Sequence, residues 1–132
     1  MSSLAPYADA RTLLLAANVM PLSRIHFANE PFTEPTNQTW LSVDAYSPTI
    51  SLLDIGAHVY REEGTIRILC LAPAGTGSDA VRTLAKNVCN VFRNLGPRNP
   101  YYLNASISDA QNDDGLWFAL IVSVDFVYED IS

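Results

Sequence analysis

Residues 64–82 read GTIRILCLAPAGTGSDAVR, and they contain the change from strand to helix on which the fold depends. The apolar, β-branched run at 64–72 predicts a strand, and a helical pattern follows the glycines. Between the two, residues 75–80, GTGSDA, fit the G-x-G-x-x-G/A pattern of a dinucleotide-binding turn. The stretch is therefore either a phosphate-binding turn or the corner between a strand and a helix.

The residues that follow argue against a nucleotide site. A dinucleotide-binding unit needs an acidic residue about 20 positions after the glycines, and no Asp or Glu occurs from Ala80 to Ser108. No Gly-Lys-Ser/Thr follows the glycines either. We interpret residues 73–77 as a turn, with Ser78 and Asp79 beginning the helix, and we expect no cofactor. A small nucleotide-binding or ligand-binding domain that uses this turn is the alternative from another functional class.

The composition describes a small acidic protein, and its 132 residues are expected to form a single domain, 1–132. Charged residues make up 17% of the chain, below the roughly 25% of an ordinary domain, which indicates that partners cover part of the surface. A net charge of −6 argues against binding nucleic acid through its phosphates. Because no run approaches 18 apolar residues, we expect a cytosolic protein with no membrane partner.

The apolar spacing predicts two helices. The first, 5–20, is expected to end at Pro21, with an apolar stripe of Tyr7, Ala10, Leu14 and Ala17 that Leu15 and Leu22 extend. The second begins near Asp79 and ends at Gly96-Pro97, with an apolar face of Val81, Leu84, Ala85, Val88, Phe92 and Leu95.

Alternating and continuous apolar runs predict the strands, at 24–28, 39–46, 64–72, 101–108 and 116–130. The strand at 64–72 becomes apolar on both faces, which is typical of a central strand. The fold class is therefore α+β: one mostly antiparallel or mixed sheet with two helices packed on it, in the order α-β-β-β-α-β-β.

The segment SPTISLLDIGAHVYREE, 47–63, is too apolar for an ordinary loop. It is either an extra pair of short strands that lengthens a hairpin or a contact loop, and in both cases its apolar residues need a cover. We expect these residues of the segment to lie at or near a subunit interface: Ile50, Leu52, Ile55, His58, Tyr60 and Arg61.

No pattern predicts catalysis. His26 and His58 lie in no recognisable signature, and Cys70 and Cys89 lack C-x-x-C spacing, so the cysteines are expected to be buried thiols. The acidic pair within residues 113–115, DDG, is better explained as the turn of the last hairpin. We expect no enzymatic activity and no metal site.

The order of the segments resembles a known family. The resemblance is carried by NEPF at 29–32, TWLSVDAY at 39–46, DIGAHVYREEGTIRILCLAPAGTG at 54–77 and DDGLWFALIVSVDFVYED at 113–130. In that order and spacing they resemble the tail terminator, or tail-completion, proteins of long-tailed bacteriophages and prophages. Arg61 matches a basic position of the family pattern. The structural residues of the motifs are Gly56, Gly64, Pro73, Gly75, Gly77, Asp114 and Gly115.

The resemblance implies a structural component of the virion. Such proteins form a ring, usually of six subunits, at the head-proximal end of the tail tube after assembly in the host cytoplasm. The ring stops tube growth, contacts the tail tube protein below it and the neck or head-completion protein above it, and lets DNA pass through its lumen without specific binding. A head-tail connector or a minor tail protein of similar size is the neighbouring structural alternative.

Overall fold

The computed structural model describes residues 4–27, 30–33, 38–54, 59–75, 79–93, 95–109 and 117–131. The helices are α1 (Leu4–Ala17) and α2 (Asp79–Val91), and a 3₁₀ turn, Leu22–Arg24, follows the first. The strands are β1 (Ile25–Phe27), β2 (Trp40–Asp54), β3 (Val59–Pro73), β4 (Tyr101–Asp109) and β5 (Trp117–Ile131). Both the α+β class and the predicted order of elements are confirmed.

The strands form one sheet in the order β1-β2-β3-β5-β4. The short strand β1 runs parallel to β2, and every other neighbouring pair is antiparallel. Strand β3 therefore occupies the centre, as its two apolar faces predicted. Its partner β5 follows it without a register shift over the whole length from Val59–Ile131 to Pro73–Trp117.

The apolar segment 47–63 lengthens the β2–β3 hairpin rather than forming a separate pair of strands. Both strands are continuous and 15 residues long. The pairing of β2 with β3 shifts register between Tyr46 and Thr49 and again between Leu52 and Asp54. Each shift gives β2 one extra residue, which bends the strand and increases its twist.

Both helices pack on one face of the sheet, and the core lies between the layers. Strand residues that point to the helices include Ile66, Ile68, Val122 and Val124, all fully buried. On α2 the predicted apolar face is confirmed, because Val81, Leu84, Ala85, Val88 and Phe92 are buried and Leu95 packs against them. Cys89 joins this buried face.

The apolar stripe of α1 is narrower than its sequence predicts. Ala10 and Leu14 are fully buried and Tyr7 is half-buried, but Leu15, Ala17 and Leu22 are exposed. The stripe is completed by Leu13, which lies partly buried against the core. The difference arises because α1 touches the sheet along few residues, so only positions on one narrow line are enclosed.

The first helix ends at Ala17, four residues before the proline expected to end it. Asn18 follows with a left-handed backbone, φ 54°, and its N–H donates to the carbonyl of Leu15 at 3.2 Å. Asparagine is one of the few residues other than glycine that adopts this conformation readily, so it closes the helix. Pro21 lies just before the 3₁₀ turn.

The strand-to-helix corner is a tight turn. Ala74 and Gly75 form it, and Gly75 has φ +84°, which a residue with a side chain rarely adopts. Helix α2 begins at Asp79, whose carboxylate suits the positive end of the helix dipole. The predicted roles of Gly77 and Ser78 lie outside the described residues, as do those of Gly56, Asp114 and Gly115.

Candidate interaction surfaces

The sheet has one covered face and one open face. The open face is the side opposite the helices, and strand pairing defines its rows: Ser42, Leu69, Ile121 and Ser108 in one row and Asp44, Arg67, Ser123 and Ser106 in the next. None of these eight residues is fully buried. The open face is therefore available to a partner along most of its length.

An aromatic cluster covers one end of the open face. The ring of Phe32 stacks between His26, at 4.9 Å, and Trp40, at 5.1 Å, and Trp117 meets Trp40 edge-on at 5.7 Å. Trp40 is almost completely buried together with Leu71 and Ala119. The Nε2 atom of His26 lies 3.2 Å from the carbonyl oxygen of Glu30. This histidine thus serves packing and loop placement.

A shallow cleft of about 410 Å³ lies near the other end of the open face. Its rim carries Tyr46, which is 63% exposed, and Leu103, which is 53% exposed. Thr65 and Asp125 line its wall and are joined by a hydrogen bond of 3.0 Å from the threonine hydroxyl. Large exposed apolar side chains beside a cleft are characteristic of contact surfaces.

The charges of the open face are mainly negative. Among the side chains that the structure describes, four carboxylates project from this side of the sheet: Asp44, Glu63, Asp125 and Glu129. Two described cations share it, Arg61 and Arg67, and Arg61 lies 3.2 Å from the carboxylate of Glu63. The described part of the face therefore carries an excess of negative charge, which opposes contact with polyanions.

The structure separates the predicted interface residues. Strand pairing places Ile50 opposite Glu62 and Leu52 opposite Tyr60. Tyr60 lies on the side of the sheet that carries the helices and is exposed, whereas Arg61 projects from the open face. Ile55 and His58 lie outside the described residues. The assignment of these six residues to an interface remains a prediction.

At both outer edges of the sheet, some backbone groups have no partner strand among the described residues. Strand β1 pairs only with Leu41–Val43 of β2, which leaves the outer side of residues 44–54 open. Strand β4 is the opposite edge, and Leu103 and Ile107 on it are exposed, the latter by 43%. Sequence patterns did not single out β4 as a contact element, although its alternation of apolar and small polar residues is visible in YYLNASIS.

A half-buried hydrogen-bonded group holds β4 against α1. The carboxylate of Asp9 accepts a hydrogen bond of 2.6 Å from the guanidinium of Arg98 and another of 2.6 Å from the hydroxyl of Tyr102. Burial, and then the bond to Asp9, raise the pKa of Tyr102. The side chain of the next residue, Asn99, exchanges two hydrogen bonds of 2.9 Å with the backbone of Glu129.

The two cysteines are free thiols buried between β3 and α2, as predicted. Burial raises the pKa of the Cys70 thiol to about 12, with a further contribution from nearby Cys89. Burial also raises the pKa of Cys89, although the charge of Arg93 opposes this. Thiols in this state are poor nucleophiles at neutral pH.

The described part of the chain holds neither a metal-binding cluster nor a membrane-spanning helix. No cluster of three or more His, Cys, Asp or Glu side chains there could hold a metal ion. Neither α1 nor α2 is long and apolar enough to cross a membrane.

Comparison with known proteins gives the family. The sequence model of a family described as phage tail terminator protein matches residues 9–126, nearly the whole chain. The protein therefore belongs to the phage tail terminator family, a family of structural components of the virion tail. A search of curated proteins finds no significant match.

A solved structure shares the fold. It superposes with a TM-score of 0.59 at 19% sequence identity, covering 98% of this chain and 94% of the other. At this level of identity the likeness extends to the architecture alone. It shows that the two-layer arrangement of the whole chain occurs as a unit in another protein.

Proposed function

We propose that this protein terminates the phage tail by forming a ring, with six subunits, at the head-proximal end of the tail tube. The ring stops polymerisation of the tube and presents a surface to which the neck or head-completion protein joins. The single observation that carries this proposal is the match of residues 9–126 to the tail terminator family.

The surfaces of the fold support assembly. Each subunit of a closed ring must bury two different patches, because head-to-tail contacts use one patch on each side. The chain has exposed apolar side chains at both sides of its sheet, Tyr46 and Tyr60 towards the β2–β3 hairpin and Leu103 and Ile107 on β4. The two pairs lie on different strands, the tyrosines on β2 and β3 and the other pair on the edge strand β4.

The open face supports a role beside passing DNA. Its carboxylates outnumber its cations, so phosphates would be repelled wherever this face lines the lumen. DNA is thereby expected to slide through the ring without specific binding. The low content of cations in the whole chain agrees with this function.

Assembly and tube capping can be tested together. The purified protein is analysed by native mass spectrometry, then added to polymerising tail tube protein, and tube lengths are measured by electron microscopy. We expect a six-subunit species and tubes whose growth stops when the protein is added, with density at one end. Tubes of unchanged length would contradict the proposal. Density at the distal end would favour a minor tail protein instead.

The interface residues can be tested with matched variants. Tyr60→Glu adds charge at a side chain that is 37% exposed, and Leu15→Glu does so at one that is 38% exposed but lies on α1. We expect Tyr60→Glu and Leu52→Glu to abolish the ring while the circular dichroism spectrum stays native, and Leu15→Glu to assemble normally. Assembly by all three would remove the hairpin from the interface. A nucleotide titration that showed saturable binding would support the rival ligand-binding function.

A further inference from the structure

We infer that the subunits of the ring join by strand pairing: the β4 edge of one copy adds to the open edge of β2 in the next. The sheet then continues from subunit to subunit around the ring. This inference rests on the ring of the proposed function and specifies how that ring is held together.

Strand direction supports the pairing. Strand β2 is antiparallel to β3, β3 to β5 and β5 to β4, so β4 runs opposite to β2 within one subunit. A second copy placed beside the first in the same orientation therefore sets its β4 antiparallel to β2. Each copy adds four strands of alternating direction, and the antiparallel pattern continues across every subunit boundary.

The two edges carry few of the charges that normally prevent strand addition. Natural edge strands are protected by lysine, inward charges, proline, β-bulges or a covering segment. From Tyr101 to Asp109 the only charged residue of β4 is the last one, and from Ala45 to Leu53 β2 has no charged residue. Pro48 lies at the first bulge of β2 and divides this edge into a short part and a longer part, 49–54.

One side chain lies at the β4 edge. The guanidinium of Arg93 donates a hydrogen bond of 3.1 Å to the carbonyl oxygen of Ala105. Because Arg93 is exposed, water can replace that bond at little cost when a strand takes the place of the side chain. The contact is thus compatible with strand addition after a rotamer change.

The position of β1 sets the offset between neighbouring subunits. β1 occupies the β2 edge at Leu41–Val43, and β4 lies at the level of Leu41 to Thr49 through its pairing with β5. The incoming β4 must therefore shift along β2 towards Asp54. Such a stagger between neighbours is what a closed, tilted sheet requires.

Closure of the ring also determines which face of the sheet points to the lumen. The helices lie on one side of every subunit, and this helical layer needs more room, so it lies at the larger radius. The open face, with Asp44 and Asp125, then faces inwards. The ring lumen would be lined by this acidic sheet surface.

Disulfide cross-linking between subunits tests the proposed pairing of β4 with β2. Successive residues of a strand lie on opposite faces of the sheet, so only some pairs of positions should form a disulfide. In the register of the sheet, Ser51 of β2 pairs with Arg61, an open-face residue, and Asn104, Ser106 and Ser108 of β4 pair with open-face residues of β5. Cross-strand neighbours share a face, and a disulfide needs Cα atoms about 4.4–6.8 Å apart. Ser51→Cys is therefore combined in turn with Asn104→Cys, Ser106→Cys and Ser108→Cys.

We expect one of these three double variants to yield a covalent ladder up to the full ring on non-reducing gels. The control is Ser51→Cys with Ile107→Cys, whose residue 107 is exposed but belongs to the opposite face, and it should give no ladder. The native thiols at Cys70 and Cys89 are buried and do not interfere. Each single variant serves as a further control.

Hydrogen exchange on the unmodified protein gives an independent measurement. On passing from dilute monomer to ring, amides within 44–54 and 101–109 should become protected. A ring of normal size with neither a ladder nor protection at these edges would overturn the inference and leave the proposed function standing. Failure to assemble at all would overturn both, so the two failures can be told apart.

Discussion

The carboxylate of Asp9 and the hydroxyl of Tyr102 are joined by a hydrogen bond of 2.6 Å, although 93 positions separate them in the chain. Asp9 lies on α1 and Tyr102 lies near the start of β4, so this bond ties the first helix to an edge of the sheet. Phe92 packs against the same tyrosine ring at 5.1 Å, edge to face. The placement of β4 thus depends on a contact from α1 and on a contact from the residue that directly follows α2.

Removing the carboxylate should destabilise the fold more than removing the hydroxyl. Asp9→Ala leaves a buried hydroxyl on Tyr102 and a half-buried guanidinium on Arg98 without their acceptor, and should cost about 2–3 kcal/mol, whereas Tyr102→Phe should cost about 1 kcal/mol. The measurement is urea unfolding at pH 7. Tyr101→Phe, at an exposed neighbouring tyrosine, is the control and should stay within about 0.5 kcal/mol of the unmodified protein. Equal effects for all three would show that the bond is not stabilising.

Stability should fall in alkaline solution because of Cys70. Its folded pKa is raised from 9.0 to about 12, so above pH 9 the unfolded chain loses a proton that the folded chain retains. The contribution is complete below pH 9 and is lost as pH rises, with a slope of at most about 1.4 kcal/mol per pH unit.

The role of the thiol can be isolated with Cys70→Ala. We expect this variant to be less stable at pH 7, because a buried group is lost, but to show a shallower decline between pH 9 and pH 11. Urea unfolding at several pH values measures both effects. Tyr102 also has a raised pKa and should contribute a remaining decline above pH 10. An unchanged slope in Cys70→Ala would refute the assignment.

The aromatic cluster should be a major source of stability at its end of the open face. Trp40→Ala removes a buried ring that contacts Phe32 and Trp117, so it should cost about 3–5 kcal/mol. Tyr46→Ala on the same strand removes an exposed ring and should cost less than about 0.5 kcal/mol. Thermal unfolding distinguishes them, and a small effect at Trp40 would mean that the cluster is not a packed unit.

The turn before α2 should require a residue that adopts a left-handed backbone conformation at position 75. A Cβ at Gly75 would meet no atom within 4 Å, yet Gly75→Ala should cost about 1–2 kcal/mol because of its φ of +84°. Gly75→Asn should cost less, since asparagine tolerates this conformation. Chemical unfolding of the two variants provides the measurement. If alanine and asparagine were equally harmful, steric or other effects would have to replace backbone strain as the explanation.

Much of the secondary structure could be predicted because it follows from local spacing. The alternation in TWLSVDAY and the three-and-four spacing after Asp79 identify strand and helix directly, and the two apolar faces of 64–72 predicted a central position. The end of α1 was predicted wrongly. The sequence predicts an end at Pro21, whereas the left-handed backbone of Asn18, a weaker signal in sequence, ends the helix at Ala17.

The position and exposure of the candidate contact elements could be predicted only in part, and their role in an interface stays a prediction. The apolar excess of 47–63 pointed to a contact region, and the structure shows that this region is the far end of a long hairpin. The exposed residues of β4 were not identified, because an edge strand with small polar and apolar residues resembles any half-buried strand. Its exposure follows from being last in the sheet order, which depends on the pairing of β4 with β5.

The sequence alone determined the types of the elements, the apolar faces of α2 and β3, the burial of both thiols and the lack of an acidic partner for the glycine motif. Each of these depends on neighbouring residues or on composition. Tertiary structure decided which face of the sheet is open, which edges lack a partner and that Asp9 meets Tyr102. These features depend on the strand order and on the side of the sheet to which the helices pack. Both are set by the joint burial of segments that lie far apart in the chain. The corner at Gly75 illustrates this, because there the central strand β3 leads into α2, the helix that covers the sheet.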